Sequence, residues 1–294
     1  YNKYINLVKN WGIDSIGLSY IQNHKTIDKI KNKFPKLIIT SKIENLEGLN
    51  NIEKICDSSD VIMIDRGDLS AELGEERLFS SILKIIKAAN KYGKPVIMAT
   101  ENLDSMIIRS SPNKSEIMSL GLSRYFKVDC VMLSEETALS KNWQHTINWL
   151  SDYFNKLYSD KDQKSKTLKN TDVSNDLWNL VKTCENLRLV LFLKKGYALK
   201  QLSKIDKNTR IMIFTDNTKL FKLTKFYENI ITFKIKKLPK KIEHKFIYEN
   251  IKKNLKTVFG KEKKILVMYT AFARKNSRAN SFSFLLKDDF FSWN

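Results

Sequence analysis

Val61-Ile-Met-Ile-Asp-Arg-Gly-Asp-Leu69, the segment from Leu78 to Ala89, and Pro95-Val-Ile-Met-Ala-Thr100 together decide the fold. The first and third are short continuous apolar runs ending in polar residues, the form taken by strands buried on both faces. Between them Leu78, Ile82, Ile85, Ile86 and Ala89 recur at helical spacing, and Gly93 and Pro95 follow as stop signals. Strand, helix and strand at these lengths predict a parallel βαβ unit, because parallel partners need a crossover of about a dozen residues or more.

The unit repeats in both directions. Ser15-Ile-Gly-Leu-Ser-Tyr20 and Leu37-Ile-Ile-Thr-Ser-Lys-Ile43 precede it, and Val128-Asp-Cys-Val-Met-Leu133 follows. About five units are visible, whereas a closed (β/α)8 barrel needs eight. The chain opens at Tyr1, without Met and already in patterned sequence. The expectation is a fragment carrying about strands 4 to 8 of a TIM barrel, with any targeting segment lying upstream. The polar stretch Ser159-Asp-Lys-Asp-Gln-Lys-Ser-Lys-Thr-Leu-Lys-Asn-Thr171 interrupts the pattern. It divides the chain into barrel residues 1–158, a linker at 159–173 and a C-terminal three-layer α/β domain at 174–294. In that domain strands are expected at Leu189 to Leu193, Ile211 to Thr215, Ile230 to Phe233 and Ile265 to Tyr269, with helical segments near Leu199, Leu220 and Ile251. The sheet should be mostly parallel, with a terminal hairpin strand at Ser281 to Leu286.

Composition narrows the function classes. Across 294 residues, 42% hydrophobic and 11% aromatic content can fill a core, which excludes wholesale disorder. Cys56, Cys130 and Cys184 lie far apart, so neither a disulfide framework nor a C-x-x-C metal site is available. No apolar run approaches the ~18 residues of a membrane span, so no membrane partner is expected. The charge of +20 raises the question of nucleic acid. Lysine is nevertheless scattered among asparagine and isoleucine along the whole length, as AT-rich coding would produce. The dense stretch Lys234 to Lys245, with Lys252-Lys253 and Lys261 to Lys264, lacks interleaved aromatics and reads as a solvated surface, not a nucleic-acid face.

In parallel βα architectures the chemistry sits at the carboxyl ends of strands, and here those ends are charged. They read Ser41-Lys-Ile-Glu-Asn45, Asp65-Arg-Gly-Asp-Leu69, Ala99-Thr-Glu-Asn102 and Ser134-Glu-Glu-Thr137. Alternation puts Lys42 and Glu44 on one side of the chain, a cation and an anion aimed at a common mouth. Glu44 and Asp68 supply two hard carboxylates, the number typical of Mg²⁺ that also binds waters and substrate oxygens. Gly67 lets backbone approach a bound carboxylate closely. A K-x-E pair alone is often a surface salt bridge, and R-G-D alone is often a turn. Their recurrence at successive strand ends points instead to a site for a small anionic substrate. His24, His145 and His244 are isolated and read as solvated or locally hydrogen-bonded.

These segments resemble the pyruvate kinase family. Lys42-Ile-Glu-Asn45 with Glu47-Gly48 is similar to its K-I-E-N-x-E-G segment, and Asp65-Arg-Gly-Asp-Leu69 to A-R-G-D-L. Gly93-Lys-Pro-Val-Ile-Met-Ala-Thr100, followed by Leu103-Asp-Ser-Met106, resembles G-K-P-V-I-x-A-T-Q-M-L-x-S-M. Val131-Met-Leu-Ser134, followed by Glu136-Thr-Ala138, resembles V-M-L-S-G-E-T-A. The resemblance runs from about Ile13 to Trp149 and continues more weakly from Leu189 to Tyr269. It implies a barrel with a small β domain inserted in its front half, then a C-terminal α/β domain. It also implies phosphoryl transfer from phosphoenolpyruvate to ADP, giving pyruvate and ATP, with Mg²⁺ or Mn²⁺ and K⁺. A homotetramer and a cytoplasmic location follow by family default, with a non-photosynthetic plastid as the alternative location.

Carried over by the resemblance, Lys42 would stabilise charge on the phosphoryl group in flight, and Glu44 and Asp68 would hold the divalent ion. Gly67 and Asp68 would bind the substrate carboxylate, and Thr100 would border the enolpyruvate where it is protonated. Lacking the front half of the barrel, the chain as given is expected not to turn over alone. The alternative from another class is a pyruvate-kinase-like regulatory or binding subunit without turnover. Departures from the family pattern include Asp65 for Ala, Ser70 for Gly, Glu101-Asn102 for Gln-Met and Glu135 for Gly, three of which add negative charge near the mouth. Asn113-Lys114 replaces Thr-Arg, although Asn113 with Glu116 still makes a helix cap. In the C-terminal domain the effector loop reads Leu193-Lys-Lys-Gly-Tyr-Ala198 instead of T-x-S-G-R-[ST]. Lys194, Lys195 and Gly196 remain as a possible phosphate-attracting loop, and sugar-bisphosphate activation is expected to be lost or altered.

Overall fold

Residues Ile62, Met63, Ile64 and Asp65 pair in parallel register with Val96, Ile97, Met98 and Ala99, so the βαβ unit that opens the reading forms as expected. The structure is a computed structural model that describes residue 7 and residues 11–159, 188–194, 196, 199, 209–269 and 281–290. The chain divides into two compact units, Tyr1–Asn170 and Thr171–Asn294.

In the first unit β1 (Ser15–Leu18), β2 (Ile38–Ile43), β3 (Val61–Asp65), β4 (Val96–Ala99) and β5 (Cys130–Val131) form one sheet in the order 1-2-3-4-5. Every pairing is parallel. Each strand lies beside its sequence neighbour, which is the order of a barrel sector, whereas a doubly wound sheet reverses partway. The crossovers carry α1 (His24–Lys33), α2 (Leu46–Asn50), α3 (Ile52–Ser58), α4 (Arg66–Leu73), α5 (Glu75–Lys91) and α6 (Lys114–Tyr125). Two more helices, α7 (Glu135–Ala138) and α8 (Trp143–Ser159), follow β5.

Local chemistry fixes the helix ends. Asn45 accepts from the Gly48 amide at 2.7 Å and starts α2. Asn113 and Glu116 form the expected capping box of α6, each side chain accepting from the other's amide at 2.8 Å. The helix expected over Leu78 to Ala89 begins earlier because Gly74, at φ +87°, breaks the chain between α4 and α5. The fifth strand is shorter than its apolar run: only two residues pair, and the Asp129 carboxylate accepts from the Val96 amide at 3.0 Å beside them.

Strand alternation sorts the side chains into two faces. Ile39, Ile43, Ile62, Ile64, Val96 and Met98 pack with Ile27 and Ile30 of α1, Ile55 of α3, and Ile85 and Ala89 of α5. The intervening positions therefore face the other way, and at the carboxyl ends they are Lys42, Asp65 and Ala99. This assigns the apolar face to the core and the charged strand ends to a common opposite face.

In the second unit β6 (Arg188–Phe192), β7 (Ile211–Thr215), β8 (Ile230–Lys234), β9 (Lys264–Tyr269) and β10 (Ser281–Leu286) are ordered 10-9-6-7-8. All pairings are parallel except that of β10 with β9, the expected hairpin strand. The two faces are both apolar. Val190, Phe192, Met212, Phe214 and Val267 pack toward Ile247 and Ile251 of α10 (His244–Lys252) and Val258 and Phe259 of α11 (Leu255–Phe259). Leu189, Leu191, Ile211, Ile213 and Met268 pack toward Leu199 and Leu220, the latter in α9 (Thr218–Leu223). Helices on both sides of the sheet make the expected three-layer α/β domain. Beyond Ser159, the expected linker at 159–173 lies outside the described residues, as do Cys184 and Lys195. Among the described residues no helix is long and apolar enough to cross a membrane.

Candidate active site

Register builds the site. Lys42 on β2 lies beside Met63 on β3, so Glu44, two residues on, reaches the level of Asp65, and Asp65 in turn pairs with Ala99 just before Thr100. Three adjacent strand ends thus deliver Lys42, Glu44, Asp65 and Thr100 to one place, and the first turn of α4 adds Gly67 and Asp68. Lys42 Nζ lies 2.5 Å from Glu44 Oε1 and 3.1 Å from Asp65 Oδ2. Burial alone would lower the pKa of the ammonium. Hydrogen bonds and charge from Glu44 and Asp65 outweigh that and hold it above the ordinary lysine value.

Glu44 is 1% exposed. One of its oxygens, Oε2, accepts from the Tyr20 amide. The other, Oε1, is held by the Lys42 ammonium. One oxygen from each of Glu44, Asp65 and Asp68 lies within 4.8 Å of the others. A single octahedral divalent ion places trans oxygens about 4.2 Å apart, so small side-chain adjustments let these carboxylates share one. The donor set is all hard oxygen, two of its three residues are buried, and the residues therefore fit Mg²⁺ or Mn²⁺.

Thr100 holds the opposite side of the cluster. Its Oγ1 accepts from the Arg66 amide at 3.1 Å and the Gly67 amide at 3.2 Å, and lies 3.3 Å from Asp65 Oδ1. The Gly67 amide, expected to meet a substrate carboxylate, is thus engaged by this hydroxyl. Thr100 and Glu101 both have positive φ, +60° and +50°. A left-handed conformation is costly for a β-branched residue and persists only where surroundings impose it. Arg66 imposes it here. Its buried guanidinium donates to Ala99 O at 3.2 Å, Asn102 Oδ1 at 2.9 Å, Ser119 Oγ at 2.8 Å and Thr100 O. Burial lowers the pKa of that guanidinium, while Glu101, Asp104, Glu136 and Asp65 favour its charged form.

The structure brings together Lys42, Glu44, Gly67, Asp68 and Thr100 as the sequence predicts. It adds Asp65, Arg66 and Tyr20, which pattern reading did not place in the machinery. Asp65 ends β3 at the level of Glu44 on β2, and the Lys42 side chain reaches across to it. The Tyr20 phenol is pushed above its usual range by the Asp68 carboxylate, with burial contributing less. Of the three departures that add negative charge, Asp65 is inside the site, Glu101 is exposed near Gly67 and Glu135 is exposed at the start of α7. Glu136 is structural: its carboxylate accepts from the Leu103 amide at 3.0 Å and the Ser134 amide at 2.6 Å. In the second unit, Lys194 and Gly196 are exposed, and the Lys194 carbonyl accepts from Asn217 at 3.2 Å.

Comparison with known proteins agrees with this geometry. Residues 2–147 match the family model described as the pyruvate kinase barrel domain. Over 140 residues the chain is 37% identical to pyruvate kinase of Trypanoplasma borreli, an alignment covering 47% of this chain and 28% of the relative. It is 36% identical over 140 residues to pyruvate kinase of Encephalitozoon cuniculi, covering 47% and 33%. The crystal structure of a pyruvate kinase from Cryptosporidium parvum superposes with a TM-score of 0.80 at 23% identity, covering 97% of this chain and 61% of that one. A pyruvate kinase from Pyrobaculum aerophilum gives 0.73 at 23% identity, covering 93% and 58%. The alignments to the two curated relatives thus span about a third or less of each relative's length.

Proposed function

We propose, for a chain whose residues 2–147 belong to the pyruvate kinase barrel family, that its first unit supplies the rear wall of a site transferring a phosphoryl group from phosphoenolpyruvate to ADP. The observation that carries this reading is the meeting of Lys42, Glu44, Asp68 and Thr100 at the carboxyl ends of adjacent parallel strands. Phosphoryl transfer is catalysed mainly by positioning and by neutralising charge, and these residue types do both.

In this reading Lys42, charged at neutral pH, faces the phosphoryl oxygens as they pass between donor and acceptor. Glu44 and Asp68 would hold Mg²⁺ or Mn²⁺, which when bound neutralises charge on the phosphate and the enolate. The Arg66 and Gly67 amides at the start of α4 donate to Thr100 Oγ1, an acceptor that a substrate carboxylate would have to replace at Gly67. The Thr100 hydroxyl borders the enolpyruvate and holds its proton toward Asp65 or the Ala99 carbonyl, which accepts at 2.7 Å. K⁺ dependence and a homotetrameric assembly belong to the same proposal. So does the inactivity of residues 1–294 by themselves, since the five parallel strands of the first unit among the described residues do not close an eight-stranded barrel.

A lactate-dehydrogenase-coupled assay of the complete protein, wild type against Lys42→Met, tests the reading. The variant should lose at least about 10²-fold in kcat, the scale of removing a preorganised charge at the reacting group. A wild type without turnover, or a variant as active as the wild type, overturns it.

A further inference from the structure

The carboxylate that stands where the family motif has alanine sits against both functional side chains. Asp65 is buried, with Oδ2 at 3.1 Å from Lys42 Nζ and Oδ1 at 3.3 Å from Thr100 Oγ1. It is also the third member of the oxygen cluster with Glu44 and Asp68. Asp65 and Glu44 therefore have two uses: they are the partners of the Lys42 ammonium and they belong to the donor set for a cation. Glu44 and Asp65 face the Lys42 ammonium and Asp68 lies beside them, so the three carboxylates outnumber it and the cluster stays anionic with Lys42 in place.

We propose that Asp65 is a third oxygen donor to the divalent cation, and that Lys42 and the cation compete for Asp65 and Glu44. The proposal rests on reading Glu44 and Asp68 as cation ligands. An additional charged oxygen raises affinity for a hard cation, because affinity follows the number and charge of such ligands. Two cations drawn to the same buried carboxylates also repel each other, so the divalent ion weakens the hold of Asp65 and Glu44 on Lys42. The ammonium is then available to an incoming phosphoryl group. In the absence of the ion the same carboxylates keep it neutralised and in place. The added acidic group thus makes phosphate capture by Lys42 conditional on the cation.

Mn²⁺ binding to the 294-residue chain, stripped with chelator and followed by the electron paramagnetic resonance of free Mn²⁺, tests this without recourse to turnover. Asp65→Ala should weaken binding about ten-fold or more. Asp65→Asn, which keeps the shape and a hydrogen bond to Thr100, should weaken it as well, and circular dichroism confirms that each variant is folded. Lys42→Met should tighten binding several-fold, because it removes the competing cation. Asp65 variants that bind as the wild type, while Glu44→Gln and Asp68→Asn lose the ion, overturn the role of Asp65 and leave the site reading intact. Unchanged binding in all of these variants, or no binding by the wild type at millimolar Mn²⁺, overturns the cation reading itself. Weakened binding in Lys42→Met overturns the competition.

Discussion

Replacing Arg66 by methionine keeps the aliphatic stem and removes the planar fork that fastens the Thr100–Glu101 turn. Four acceptors lose a charged donor, but they do not lose equally. Ala99 O keeps its bond from Thr100 Oγ1, and the half-buried Ser119 hydroxyl can turn to water. Asn102 cannot compensate, because it is 0% exposed and its Nδ2 is committed to Met98 O and Met132 O, leaving Oδ1 orphaned. An orphaned buried acceptor costs about 1–3 kcal/mol, and each lost bond to a charged donor costs about 1.5–3. Relief of desolvating the guanidinium and of the left-handed backbone offsets part of this. The net loss should be about 2–4 kcal/mol, a large share of a typical domain stability of about 5–15. Urea unfolding of the 294-residue chain, with the transition of the first unit fitted separately, measures it. Arg66→Lys should recover less than half, since an ammonium cannot match the fork. A loss below about 0.5 kcal/mol for Arg66→Met, or full recovery with lysine, would show that the guanidinium does not hold this turn.

Other substitutions probe the frame around the site. In Gly48→Ala the new Cβ would lie 2.4 Å from the Ile21 carbonyl oxygen, a backbone atom that cannot swing aside, so a loss of about 1–3 kcal/mol is expected in thermal unfolding; an unchanged Tm contradicts the close approach. Glu136→Ala strips the acceptor from the amides of Leu103 and Ser134 and should cost about 2–4 kcal/mol, with glutamine intermediate; equal stability of all three forms would contradict that role. Cys56 is pushed up to about 12 by burial. Because this folded value lies above the unfolded one, its contribution is whole below the ordinary thiol range and falls as pH rises through the window ending near that value. The Tm of the wild type should therefore drop relative to Cys56→Val across that alkaline window, and at neutral pH iodoacetamide should spare Cys56 until urea is added; rapid labelling of the folded chain would refute the burial argument.

Strand positions were readable because Val61 to Ile64 and Ile211 to Thr215 are buried on both faces, which demands unbroken apolar runs. Lys42 and Glu44 were readable because alternation needs only local geometry. Asp65 was legible as a charge but not as a partner, since its contacts with Lys42 and Thr100 depend on the register of three strands. The left-handed backbone at Tyr20, Thr100 and Glu101 left no trace in residue type. None of the three is glycine or asparagine, and at Thr100 and Glu101 tertiary bonds from Arg66 override local preference.

The two strand orders set different folding schedules. Where every strand pairs with its predecessor, as in 1-2-3-4-5, each βα unit can dock as soon as it is synthesised, and contacts stay local. In the order 10-9-6-7-8 the central strand β6 must wait for β9, whose Ile265 pairs with Arg188, before its second edge is covered. A nascent chain arrested before Lys264 would thus display a half-paired, wholly apolar strand, Leu189 to Phe192, with an open edge. The second unit, which carries no part of the carboxylate cluster, is where chaperone dependence and aggregation during synthesis should concentrate.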